Sequence, residues 1–487
     1  MKAIGALLVA GALVASCSTE PTGSAPTSGI VSPSATQPAS SPEPTNSTTP
    51  SGIPTPSVLP ITLAVHPIAQ VVASSPLVLR SAPGTGADST MLPGRLWPGM
   101  RVGLLRGPVD ASGYQWYRVQ KGDLTGWVAA GSLDGDAWLA SVHNGRITFG
   151  AYAPAGAGVE ILSMAFDGTD VVQLATIPMS EAIPAPATSA LLPVITCADS
   201  LTSAWSSEGQ WLTFVSSLNC DGVIFALRSD GRDLRRVADG QRAMWAPSGN
   251  VLAFDINVPY CGGPPCDDRG PWDLFRIELP AGNPTLLTRG GDLDVSIDPQ
   301  WSPDGGLIAF TRWHGAGGLG TSVATYLAHP DGSQERRLGD GSAVTWLPDG
   351  SGVLVARDLA DFSGTEFFVV ALDQSEAAVA GGFDSFSPNG RWILARTWDS
   401  ASSPASVIAR LGGEQLMPLP AGWTAEGWTP DGSALLISVW DTERGAINLM
   451  SLELATGAVR TVHFFGAGEL ASVTGFAVQP VLVNDLN

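Results

Sequence analysis

Helical signals are nearly absent from this chain. No stretch sustains an apolar period of 3.6 residues, which excludes a helical bundle and the strand–helix–strand units of α/β enzymes. Charge is scarce too, with Asp, Glu, Lys and Arg making up 14% of the 487 residues. What charge there is runs one way, to a formal net of −20 at pH 7. Nucleic acid and anionic lipid headgroups are bound by clustered Lys and Arg, so this balance excludes both as partners. No apolar run approaches the roughly 20 residues that a membrane-spanning helix needs. Histidine is rare: His66, His143, His314, His329 and His463 show none of the paired spacing of a metal site, and neither metal nor cofactor is expected.

What is there begins at the N-terminus. Lys2 precedes an apolar stretch, Ala3 to Val14, that is too short to span but has the proportions of a signal-peptide core. It ends in Val14-Ala15-Ser16-Cys17, which resembles a bacterial lipobox. That resemblance implies cleavage before Cys17 and lipidation of its thiol, hence an extracytoplasmic chain anchored to a membrane by lipid. From residue 18 to residue 60, 28 of 43 residues are Ser, Thr or Pro, too few of them apolar to offset chain entropy, so an extended, disordered tether is expected. Four further cysteines, Cys197, Cys220, Cys261 and Cys266, form an even set in an exported chain and suggest two disulfides.

The 57 glycines and 38 prolines, spread through Val-, Leu- and Thr-rich segments, indicate many short strands and many turns: an all-β fold. The first folded unit is expected over residues 61–135. Its strands alternate apolar and polar residues: Leu77 to Gly84, Gly99 to Leu105, Trp116 to Val119, Thr125 to Val128. The opening Arg80, Ser81, Pro83, Gly84 and the closing Gly126, Trp127, Val128 resemble bacterial Src-homology-three-like domains. The resemblance implies a small barrel that binds a wall or peptide ligand, with Tyr114, Trp116 and Trp127 as the candidate binding aromatics.

From residue 136 the chain repeats itself. Trp301-Ser-Pro-Asp-Gly305 has relatives at Trp205 to Gly209, Trp245 to Gly249, Trp346 to Gly350, Phe386 to Gly390 and Trp428 to Gly432. Pro second and Gly last suit a type I turn between two strands. A second hairpin follows about 20 residues later in each unit, and four strands per repeat of about 42 residues is a propeller blade. "W-S-P-D-G-x-x-I-A-F" resembles the TolB-type repeat. Six copies are plain. A seventh is expected to be split, with residues 144–149 and 162–168 supplying outer strands and Gly475 to Pro480 the inner one, closing a ring that leaves no free edge. Seven blades are therefore expected, with six as the alternative.

The tight turns of every blade fall on one face. Every long insertion falls on the other: residues 177–203, 255–273, 312–324 and 357–365, with Cys197, Cys261 and Cys266 among them and Cys220 in a neighbouring second-to-third loop of the same face. Loops on a rigid scaffold are where binding residues concentrate. Trp313, Trp398 and Trp440 each stand eight residues after a repeat glycine, followed by His314, Asp399 and Asp441, with Arg312, Arg357 and Asp358 at the same level. Aromatics beside charge suit recognition of a polypeptide or a carbohydrate.

Enzyme readings were tested against the same residues. No serine has glycine at both flanking second positions, so the elbow of prolyl-oligopeptidase-type hydrolases is missing. The histidine set of oligogalacturonate lyases and the Asp-box of sialidases are missing as well. The expectation is a binding or scaffold lipoprotein of the envelope, not an enzyme, whose propeller takes a protein or peptide partner and whose barrel takes wall material such as peptidoglycan. The alternative is a carbohydrate-active or metal-dependent propeller enzyme.

Overall fold

The computed structural model describes residues 63–152, 158–178, 200–218, 221–240, 242–257, 272–288, 294–314, 322–359, 364–398, 404–413, 415–441, 444–466, 471–484 and 486. Among them every element is a strand, and no helix is long and apolar enough to cross a membrane. The lipobox cysteine Cys17, the Ser/Thr/Pro tether, and Cys197, Cys220, Cys261 and Cys266 lie outside the described residues.

Six short-loop strands come first: β1 (Ile68–Val71), β2 (Leu77–Arg80), β3 (Met91–Leu96), β4 (Arg101–Ala111), β5 (Tyr114–Lys121) and β6 (Leu124–Ser132). They enclose a core of Leu79, Leu96, Val102, Tyr117, Val119 and Val128. Then follow β7 (Leu139–Tyr152), β8 (Gly158–Met164) and β9 (Val172–Pro178). The blades are β10–β13 (Ser200–Trp205, Trp211–Leu218, Asp221–Arg228, Arg235–Asp239) and β14–β17 (Ala243–Trp245, Val251–Asn257, Trp272–Glu278, Thr285–Leu286). Next come β18–β21 (Asp294–Trp301, Ile308–His314, Ser322–Ala328, Arg336–Asp340) and β22–β25 (Ser342–Trp346, Gly352–Asp358, Thr365–Ala371, Glu376–Val379). The last two are β26–β29 (Ser385–Phe386, Ile393–Trp398, Pro404–Ala409, Gln415–Pro418) and β30–β33 (Trp423–Trp428, Ala434–Asp441, Ala446–Glu453, Val459–Phe465), before the final strand β34 (Ala471–Val483).

Each of these six groups is a separate four-stranded antiparallel sheet in sequence order, so the molecule is a β-propeller with six blades, not the seven expected. The strands assigned to a seventh do meet, β34 pairing with β7 from Ala471↔Tyr152 to Val483↔Ser141, and β7 pairing with β8. They do not stand apart as a blade, because β7 is long enough to pair β1 as well, at Ala69↔Ser141 and Val71↔Leu139. Through β1 the sheet runs on into β4, β5 and β6, giving one sheet of ten strands.

The repeat turn does what its residues require. Gly305 takes φ +68° and donates its N–H to Ser302 O at 2.8 Å. The Ser302 hydroxyl accepts the Leu307 N–H at 2.8 Å, and Asp304 Oδ1 accepts that of Gly306 at 2.9 Å. Gly209, Gly249, Gly350, Gly390 and Gly432 share the left-handed φ, which only glycine adopts without strain. The turn tryptophans tie blade to blade: the indole N–H donates from Trp245 to Ala204 O, from Trp301 to Met244 O and from Trp346 to Gln300 O, at 3.1, 3.1 and 2.9 Å.

The barrel-side strands lie against these same turns. Gly122 N donates to Asn389 O (2.8 Å), Lys121 Nζ to Pro388 O (3.3 Å) and Arg101 Nη2 to Ser207 O (3.4 Å), while Arg391 Nη1 reaches Gln120 Oε1 (2.8 Å). At Gly99 the approach is so close that a Cβ would sit 1.7 Å from Pro247 O. Lys2 and Lys121 are the chain's two lysines. Burial, with Arg101 as a neighbouring like charge, pushes Lys121 from 10.5 down to about 8, and Asp349 opposes that shift.

Candidate functional site

The ends of the second strands carry the aromatic and charged residues singled out above, and the structure sorts them. Arg312, on β19, is buried; its guanidinium grips the Glu335 carboxylate with both nitrogens and lies 5.2 Å over Phe310 and 4.8 Å over Tyr326, while Nε donates to Ser296 Oγ at 3.1 Å. Arg357, on β23, repeats the arrangement, gripping Glu376 at 3.0 and 2.6 Å and lying 4.3 Å over Phe368. That hydrogen bonding holds the Glu376 carboxyl below its ordinary range. Both arginines thus fasten the second strand of a blade to its outermost edge. A side chain so engaged is not offered to a partner, which corrects their expected placement on a binding surface.

His314 is half-buried beside Arg312. Its Nδ1 is 3.0 Å from Asp294 Oδ1 and its Nε2 is 3.1 Å from the Tyr326 hydroxyl. A carboxylate only accepts, so Nδ1 donates to Asp294, and the Tyr326 hydroxyl lies within hydrogen-bonding distance of Nε2. Trp313 points to the other side of β19, half-buried, its indole N–H without a hydrogen-bond partner among the described residues. Asp358 is exposed and accepts the Thr365 hydroxyl at 2.8 Å. Trp398 ends β27, and Asp399 lies outside the described residues.

Trp440 differs from all of these. Its side chain is 50% exposed, and Asp441 next to it caps the following turn, accepting Arg444 N at 3.1 Å and Nη1 at 3.2 Å. Among the described side chains of the expected surface, Trp440 is the exposed aromatic.

In the barrel-side strands Trp116 is buried, its Nε1 donating to Ala111 O at 2.8 Å, so it belongs to the interior and not to a ligand surface. Tyr114 packs edge-to-face on Trp116 and tilted against Trp138, with centroids 6.4 and 5.4 Å away, and remains partly open; Trp127 is also half-exposed.

One feature was not anticipated from sequence. A cavity of about 400 Å³ is lined by Arg101 of β4, by Trp205, Phe386, Trp428 and Phe476 from successive inner strands, and by the carboxylates Asp384 and Glu426. The tie from indole to preceding blade lapses here, since Phe386 has no N–H to give and the N–H of Trp428, like Ser385 Oγ, is buried without a hydrogen-bond partner among the described residues. Phe386 in place of the repeat tryptophan was the one available signal.

No family model matches the chain. An uncharacterized protein of Agrobacterium fabrum is 29% identical over 122 residues, covering 22% of this chain. The chain spans 38% of that relative's length. Among solved structures it is similar to TolB from Acinetobacter baumannii, at 14% identity and TM-score 0.40 over 69% of this chain and 66% of the other. It is similar to a prolyl endopeptidase at 12% identity and TM-score 0.46, over 75% and 50%. It is also similar to the periplasmic gluconolactonase of Pseudomonas aeruginosa at 12% identity and TM-score 0.42, over 70% and 100%. At these identities the likeness concerns the fold. The similar structures include enzymes, among them the endopeptidase, the gluconolactonase and an oligogalacturonate lyase with manganese, so the expectation that this chain is not an enzyme is withdrawn.

Proposed function

We propose that the chain is an extracytoplasmic binding protein of the cell envelope, held to a membrane through Cys17 and its tether, whose propeller engages a protein or peptide partner. One observation carries the choice of face. The barrel-side strands cover the tight turns at Ser207, Pro247, Pro388 and Asn389, so a partner meets the ring from the opposite side, where the long connections and Trp440 are. A half-exposed indole beside an aspartate supplies contact area together with an orienting acceptor, and tryptophan is among the residues enriched at interface hot spots. Tyr114 and Trp127, partly open on the barrel-side strands, are the proposed contacts for a wall or peptide ligand such as peptidoglycan.

The test is capture from an envelope extract by the full chain and by a Trp440→Ala variant. Recovery of the partner should fall at least tenfold with the variant, while its melting temperature stays within a few degrees. Equal recovery by a folded variant would remove this face from the proposal. A Cys17→Ser chain, separately, should leave the membrane fraction.

A further inference from the structure

Side chains alternate across a strand, so Leu79, Tyr117 and Val128, which enter the core of the barrel-side strands, turn their neighbours Arg80, Arg118 and Trp127 outward. Strand pairing then aligns them. Arg106 of β4 stands opposite Arg118 of β5, Arg118 opposite Trp127 of β6, Trp127 opposite Arg80 of β2, and Arg80 opposite Met91 of β3. Five adjacent strands thus present Arg, Arg, Trp, Arg and Met in one line, with Arg95 exposed farther along β3. We propose that this row binds an acidic peptide whose carboxylates are interspersed with apolar side chains. The proposal rests on the reading of these strands as a ligand surface and names the class of ligand.

The arginines select an anion. Among the described residues no carboxylate pairs with Arg80, Arg95, Arg106 or Arg118, whereas Arg146, Arg312 and Arg357 of the later strands each hold one. Residues 61–135 carry six cationic side chains against four carboxylates, in a chain whose formal net is −20. Like charges set directly opposite repel, so Arg106 and Arg118 are relieved by an anion lying between them. A guanidinium fork matches the two oxygens of a carboxylate. Arg80 is held at the surface by Ser89, donating to its carbonyl and, at 3.3 Å, to its hydroxyl.

The apolar members narrow the class. Met91 is 65% exposed and Trp127 half-exposed, and they flank Arg80 on either side. An inorganic polyanion that reached Arg80 would leave that apolar surface in water, while a peptide supplies carboxylates and apolar side chains together. An anionic membrane plane would also meet the acidic ring, to which these strands are bonded at Ser207, Pro388 and Asn389. A short peptide meets the row alone.

The experiment is fluorescence anisotropy of the full chain with a fluorescein-labelled octapeptide of alternating Glu and Leu, beside its counterpart with Gln for Glu. Saturable binding of the acidic peptide is expected, at least about tenfold tighter than that of the counterpart and weakened several-fold when salt rises from about 50 to about 300 mM. Arg106→Gln and Arg118→Gln together should weaken it about tenfold, with a melting temperature no lower than the parent's, because the pair they remove is repulsive. Trp440→Ala should bind it unchanged. No binding of the acidic peptide, equal binding of the two peptides, an affinity indifferent to the double substitution, or tighter binding to inorganic polyphosphate or phosphatidylglycerol vesicles would each overturn the proposal. Peptidoglycan retained equally by parent and double variant, with the acidic peptide unbound, would overturn it while leaving the wall ligand of Tyr114 and Trp127 in place.

Discussion

Lys121 makes the contact between the barrel-side strands and the ring open to a measurement in which parent and variant are compared, so that the tyrosines, the cysteines and Lys2, common to both, cancel. Its ammonium meets Pro388 O at 3.3 Å, and burial lowers its pKa from 10.5 to about 8. Below pH 8 the side chain is charged both folded and unfolded, and the folded state bears the full desolvation cost. Between pH 8 and 10.5 the folded side chain gives up its proton while the unfolded one keeps it, so stability rises with pH across that window. A gap of about two and a half units at 1.36 kcal/mol each sets the cost at about 3 kcal/mol. Lys121→Met keeps the aliphatic stem, removes the charge, and loses one hydrogen bond worth about 1 kcal/mol. The variant should therefore be about 2 kcal/mol more stable than the parent at pH 7, and the advantage should disappear by pH 10.5. Urea unfolding of the full chain at half-unit steps from pH 7 to 10.5 reads both quantities. Parallel stability curves for parent and variant would refute the buried, charged placement of this lysine.

Three other substitutions bear on the fold. Gly99→Ala places a methyl group against Pro247 O at a φ of +83°, so a loss above about 2 kcal/mol is expected, with limited proteolysis cutting the barrel-side strands before the ring. Arg312→Met removes a buried guanidinium from Ser296, Phe310 and Tyr326 but leaves Glu335 in solvent, so a cost of about 1–2 kcal/mol in urea unfolding is expected, whereas Arg357→Met, whose pair with Glu376 is more exposed, should cost under about 1 kcal/mol.

The ring was legible because its signal is local. A tight turn that needs glycine at a left-handed φ recurs with the same neighbours, from Gly209 to Gly432, and each recurrence marks an inner hairpin. The pairing of β34 with β7 could be inferred from the same pattern. The continuation of that sheet through β1 could not, since Ala69↔Ser141 is a long-range register that leaves no period in the residues. Nor could the covering of the tight turns be read, because Ser207, Pro247, Pro388 and Asn389 receive the barrel-side strands through backbone carbonyls, which every residue has. At the candidate site, Arg312 and Arg357 looked like surface charge because their partners, Glu335 and Glu376, stand two strands away. An arginine on the second strand with a glutamate entering the fourth was the signal, and it occurs twice.

The ladder between β34 and β7 also sets an order of events. Every blade from β10 to β33 pairs strands that are neighbours in the chain and can form as soon as each segment is available. β7 is among the first strands made, yet one of its edges waits for β34, the last. Until that strand arrives, β7 presents unpaired amide and carbonyl groups, a template for the wrong chain as much as for the right one. The interval between the sixth blade and the thirteen-residue strand β34 is thus the one in which this edge of β7 stands open to mispairing.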